Sequence, residues 1–252
     1  MDRKFKEEFM DLWRKYFDGA EFPIAFYYAS DPGSIERVKA PAAAHQCLIG
    51  VLSRVRNGRP LCFDVDSIGC GGGKRYTGFT QEIMPNFEYF LSCGIPGQME
   101  GERYKKSPEL VQEVMNRMPQ FKAPADFIVF KRWDTLEESD NPDVVIFYAK
   151  PDVLSGLFTL ANYDEKEPDG VLVPFGAGCS SIVLYPYLEK DEKRPRAVIG
   201  MFDVSARPYV HRDDLTFAVP MSKFQRMVEN MEESFLITSS WDKVKKRIGS
   251  GK

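Results

Sequence analysis

Three of the five cysteines stand where a thiol can do chemistry. Cys47, in His45-Gln46-Cys47, opens an apolar run, and Cys179 opens another after Gly176-Ala177-Gly178. Cys70 lies inside Gly69-Cys70-Gly71-Gly72-Gly73-Lys74-Arg75. If Cys47 and Cys179 mark the first turns of helices, the peptide dipoles there favour thiolate, the form that binds metals and attacks electrophiles. Three thiolates would ligate zinc or an iron–sulfur centre. A fourth ligand would come from Cys62, Cys93, His45, His211 or an exogenous molecule. There is no Cys-x-x-Cys pair, so spacing does not single out a metal. Free cysteine is also a small residue that is commonly buried.

The residues around these thiols suit a small anionic ligand. Gly71, Gly72 and Gly178 would give the ligand access to backbone N–H groups, while Lys74 and Arg207 would neutralise charge. Asp203 would orient Arg207. The terminal Gly-Lys-Ser/Thr of a Walker A loop and the Gly-x-Gly-x-x-Gly spacing are both absent. So is the Gly-x-Ser-x-Gly elbow of the serine hydrolases. Two other readings stay open: a thiol enzyme with Cys179 as nucleophile and His45 or His211 as base, and a non-enzymatic interaction module with structural cysteines.

The elements that must position these groups follow from periodicity and punctuation. Phe5, Phe9, Leu12, Trp13 and Tyr16 recur at helical spacing until Gly19. Strands are expected at 22–29, 61–65, 126–133, 143–149, 170–175, 197–204 and 215–219. Helices are expected at 42–55, 80–92, after Ser107-Pro108-Glu109, and at 153–163 and 178–188. Ser222-x-x-Gln225 reads as a capping box opening the helices of 222–248. The order predicts a single α/β (mixed α+β) domain over 1–252, a mixed sheet flanked by helices.

A net charge of −3 gives no global pull toward nucleic acid or anionic lipid. No apolar run reaches the roughly 18 residues a membrane span needs. Five cysteines, irregularly spaced, are expected to be reduced thiols in a cytoplasm.

The chain also carries a faint internal echo. Phe26-Tyr27-Tyr28-Ala29 resembles Ile146-Phe147-Tyr148-Ala149, and Phe63-Asp64-Val65 resembles Phe202-Asp203-Val204, each with a cysteine-led helix between. Half-repeats at 22–75 and 143–210 would be related by a pseudo-two-fold axis, which would bring the two cysteine-bearing helix starts together.

In their order, these motifs resemble the ArCR family. The resemblance is carried by Pro23-Ile24-Ala25-Phe26, Cys47, Cys70 in its glycines, Gly101-Glu102-Arg103-Tyr104, Pro142-Asp143-Val144-Val145, Cys179, the 200–207 segment and Asp214-Leu215-Thr216-Phe217-Ala218-Val219-Pro220. It covers roughly residues 5 to 236. The resemblance implies one domain and a shared site at Cys47, Cys70 and Cys179, and no activity.

Overall fold

The computed structural model describes residues 1–40 and 46–250. The expected base His45 and the start of the 42–55 helix lie outside the described residues. Eight strands form one sheet: β1 (Ile24–Ala29), β2 (Glu36–Arg37), β3 (Leu61–Phe63), β4 (Phe127–Arg132), β5 (Val144–Ala149), β6 (Val171–Leu172), β7 (Ala197–Gly200) and β8 (Leu215–Pro220). Their order is β2-β3-β4-β1-β5-β8-β7-β6. All neighbours are antiparallel except the edge pairs β2–β3 and β6–β7, so the sheet is mixed, as expected.

That order reads the same from either edge. β1 and β5 meet at the centre with Ala25 opposite Val145, and each half continues fourth strand, third strand, second strand outward. The helix led by Cys47 lies between β2 and β3, and the one led by Cys179 between β6 and β7. The first Phe-Asp-Val segment begins on the last residue of β3, and the second lies just beyond the end of β7. Asp64 accepts the Ser67 N–H at 2.9 Å, and Asp203 accepts the Ser205 N–H at 3.0 Å.

Alternation along the central strands feeds two cores. Ala25, Val145, Phe147, Phe217 and Val219 face α1 (Arg3–Tyr16), α6 (Pro151–Ala161), α8 (Met221–Glu229) and α9 (Ser239–Ser250). α1 forms because Phe9, Leu12, Trp13 and Tyr16 share one face, and because Asp2 caps it, accepting the Lys4 N–H at 2.7 Å. On the opposite face Ile24, Phe26, Ile146 and Ala218 meet α2 (Leu48–Arg56), α3 (Gly71–Tyr76) and the helix after Cys179. The second face carries the thiols.

Several expected elements end early, each for a local reason. The 80–92 helix shrinks to α4 (Phe87–Phe90), because Pro85 precedes Asn86 and Asn86 takes a left-handed φ of 60°. The strand expected at 170–175 stops at Leu172, before Pro174, which cannot donate to a ladder. β7 stops at Gly200, where Met201 turns to φ 71°. Ser222 caps nothing; α8 begins at Met221 after Pro220. The Ser107-Pro108 start of α5 (Pro108–Arg117) holds, but within it only Val111 is buried.

Candidate functional site

Each of the three thiols sits at the start of a helix, and the three starts converge. Cys47 is the extended residue before α2, its carbonyl accepting the Val51 N–H at 3.3 Å. Cys70 stands in the same position before α3, and its Sγ accepts the Gly73 N–H at 3.2 Å. The glycine run around Cys70 thus opens a short helix. Gly69 runs so close to Gln46 that an added Cβ would stand 2.8 Å from the Gln46 Cβ, which makes Cys47 and Cys70 the next residues of two touching segments.

Cys179 precedes a π-helix (Ser180–Leu184) that runs into α7 (Tyr185–Glu189). The wide turn has a local cause. Pro186 has no N–H to return to Ile182, and its ring would clash with that carbonyl. The chain opens, and the Tyr185 N–H reaches back to the Ser180 carbonyl. Asp203 secures the start of this helix, its Oδ2 accepting the Gly178 N–H at 3.0 Å. Gly178 is glycine because a methyl there would stand 3.0 Å from the Ala206 Cβ, 3.2 Å from Met201 Sδ and 3.4 Å from Ile49 Cγ1. Ile49 belongs to α2, so the two cysteine-led helices meet at Gly178.

The thiols are close enough to feel one another's charge. Burial, followed by Cys70, Cys47 and Asp203, pushes the Cys179 thiol well up from its ordinary value. Burial also pushes Cys47 up, against the Gly50 and Ile49 N–H groups that favour its thiolate. For these two, desolvation opposes the thiolate that the helix starts were expected to favour. All five cysteines are free. Among the described residues, no three His, Cys, Asp or Glu side chains stand close enough around one point to hold a single ion.

Several neighbours were not singled out by the sequence as parts of this site. Burial and then Cys179 push the Tyr76 phenol up to about 12, with Arg75 opposing and Tyr185 and Asp203 adding to the rise. Tyr76, Arg75, Cys179 and Asp203 therefore share one locality. Met201, buried at a left-handed φ of 71°, turns its thioether toward Gly178. The segment after Gly94 folds into a tight knuckle, with the Ile95 N–H to Met99 carbonyl bond at 2.8 Å. From it the Tyr104 hydroxyl reaches between Glu102 and Ser205, and Lys105 Nζ stands 4.0 Å over the Phe175 ring. Of these, Glu102, Tyr104, Met201 and Ser205 lie in segments that carry the family resemblance and Arg75 closes the glycine run, but nothing in the sequence assigned Tyr76, Met201 or Lys105 a role of its own.

The remaining expected residues divide. Gly71 and Gly72 are exposed, and an added Cβ on Gly71 meets nothing within 4 Å, so the backbone there is open. Lys74 is half-buried, its N–H closing the first turn onto the Cys70 carbonyl at 3.1 Å. Arg207 does not serve as the expected clamp: its guanidinium donates to the carbonyls of His211, Arg212 and Asp214, closing its own loop. Asp203 orients the helix start and the Ser205 turn, and its side chain does not hold Arg207. His211 is exposed, with its Nδ1 accepting the Asp213 N–H at 3.3 Å.

Elsewhere a groove of about 660 Å³ opens beside β1, between the 31–35 turn and the 137–143 segment. Its ammonium groups are already matched, Lys131 by Asp140 at 2.8 Å and Lys190 by Asp143 at 2.9 Å. Among the described residues, no helix is long and apolar enough to cross a membrane. A family model described as uncharacterised ArCR matches residues 14–230. No curated protein and no solved structure matches the chain.

Proposed function

Because the chain belongs to the uncharacterised ArCR family, which brings no activity to carry over, we propose from the site alone that the protein holds an iron–sulfur centre on Cys47, Cys70 and Cys179. The observation that carries this reading is that three cysteine-led helix starts, from segments far apart in sequence, pack on one another, Gly69 against Gln46 and Gly178 against Ile49. In a cluster each thiolate binds a different iron, so the sulfurs stand further apart than around a single ion. That suits thiols which influence one another without enclosing one point.

Binding would release the thiol protons, and the metal charge would oppose the desolvation that pushes the Cys47 and Cys179 thiols up. The N–H groups at the helix starts, with Gly73 already donating to Cys70, would then stabilise the thiolate sulfurs. Were the centre a four-iron cluster, Cys47, Cys70 and Cys179 would hold three of its irons, and the fourth would be open to a small molecule. The halves 22–75 and 143–210 are read as copies of one unit, each contributing a cysteine-led helix. Reduced thiols of this kind belong in a cytoplasm. Cys179 as a nucleophile is disfavoured, since it is buried and its thiol is raised.

Protein purified without oxygen, or reconstituted with ferrous iron and sulfide, should contain iron, acid-labile sulfide and a visible chromophore. Cys47→Ser, Cys70→Ser and Cys179→Ser should each lose them, whereas Cys62→Ser and Cys93→Ser retain them. Iron and sulfide that persist in the triple variant, or that never bind, overturn the reading. Zinc without sulfide, dependent on the same cysteines, overturns the cluster in favour of a single ion.

A further inference from the structure

Arg75 carries a charge that the fold leaves unanswered. The residue is 8% exposed. One nitrogen, Nη1, donates to the Gln81 carbonyl, while Nη2 is buried without a partner among the described residues. Arg194 also buries an unpartnered nitrogen, but it is paired with Asp169. Among the described residues no carboxylate pairs with Arg75. A buried guanidinium cannot shed its proton, and leaving part of it dry and unpaired is costly unless a counter-charge arrives.

Its position makes that counter-charge a ligand's. Arg75 lies on α3, the helix that Cys70 leads, and α3 packs against the π-helix that follows Cys179. Above it the segment 81–86 is exposed throughout, with Ile83 and Met84 turned to solvent. A cover with so little buried surface opens cheaply.

We propose that Arg75 receives the oxyanion, a carboxylate or phosphate group, of a small molecule bound beside the three thiols. The guanidinium fork matches either group. This inference rests on the cysteine reading for the site's location, and it does not need iron to be present.

The test therefore uses the full chain in chelator, free of metal, with inorganic phosphate and succinate as separate probes in thermal denaturation. At ten times its dissociation constant, the matching anion should raise the wild-type Tm by about 3–6 °C, from mass action and the size of the domain. Response to phosphate alone identifies a phosphate ligand; response to succinate alone identifies a carboxylate. Arg75→Met should abolish the response while keeping its anion-free Tm within about 2 °C of wild type or above it, since an unpaired buried charge is gone. Arg75→Lys, which keeps the charge and loses the fork, should bind at least tenfold more weakly; it decides the matter if Arg75→Met does not fold. Arg194→Met should respond as wild type does. A wild-type chain unmoved by both anions, or an undiminished response in Arg75→Lys, overturns the proposal. If the anion response is present and iron never binds, the cluster reading fails and Arg75 stands.

Discussion

Replacing Gly200 by alanine should unseat the helix that carries Cys179. An alanine Cβ at that position would stand 2.0 Å from Ser181 Oγ, 2.2 Å from the Ser181 Cβ and 3.1 Å from Thr216 Oγ1. Non-bonded carbons rest about 3.5–4.0 Å apart, so Ser181 must retreat by roughly 1.5 Å. It cannot retreat alone. Its Cβ is fixed to the π-helix, its hydroxyl donates to the Gly178 carbonyl at 2.9 Å, and Ile182, Val183 and Leu184 behind it are buried. The whole helix start must lift from β7, which places the cost at or above the upper end of the ~1–3 kcal/mol typical of overpacking. For a domain of this size the Tm should fall by roughly 6–12 °C. The companion Ser181→Gly removes both clashing atoms, so the double variant should recover about 1–2 kcal/mol relative to additivity. Denaturant unfolding of the four proteins measures this coupling. A Gly200→Ala protein melting within about 2 °C of wild type, with no coupling to Ser181, refutes the claimed close seating.

Two further outcomes follow from buried charge. Lys223 is buried against Glu165 at 2.6 Å, and Arg226 lies 2.7 Å from the same carboxylate oxygen. Glu165→Ala strands the lysine and should cost about 3–5 kcal/mol in denaturant unfolding, whereas Lys223→Met leaves Glu165 held by Arg226 and should cost clearly less. Burial acts to raise the Glu165 carboxyl, but the hydrogen bonds and charges of Lys223 and Arg226 hold it below its ordinary 4.5. The stability it contributes is complete above that value and disappears as pH falls through the lowered one; an acid titration of wild type against Glu165→Gln should show this difference. For Cys179 the sign is opposite. Its raised thiol contributes stability that is full below the ordinary 9.0 and is lost as pH rises through the folded value, so Cys179→Ala should flatten the alkaline limb. At neutral pH, mass spectrometry of alkylated protein should find exposed Cys93 modified well before Cys179.

What the chain declared by itself was local and periodic. The apolar stripe of α1, the Ser107-Pro108 helix start and the buried runs of β1, β5 and β8 follow from side-chain spacing and caps that act over a few residues. The paired order of strand, cysteine-led helix and Phe-Asp-Val was visible too, since it is written along the chain. Elements went astray where one residue's backbone overruled the pattern: Asn86 and Met201 at positive φ, and Pro174 and Pro186 removing an N–H.

The site's contents needed the third dimension. Sequence brought Cys47, Cys70 and Cys179 forward as candidates, but the upward push on the Cys47 and Cys179 thiols was not legible in it, because a dipole can be inferred from a helix start whereas desolvation depends on everything packed around it. Arg75 and Arg207 look alike as letters beside a cysteine or an aspartate. Only the folded chain shows that one guanidinium is spent on its own loop's carbonyls and the other is left partly unpaired under a thin cover. Whether a charged group is satisfied is a sum over neighbours distant in sequence, and that sum exists only once the chain has folded.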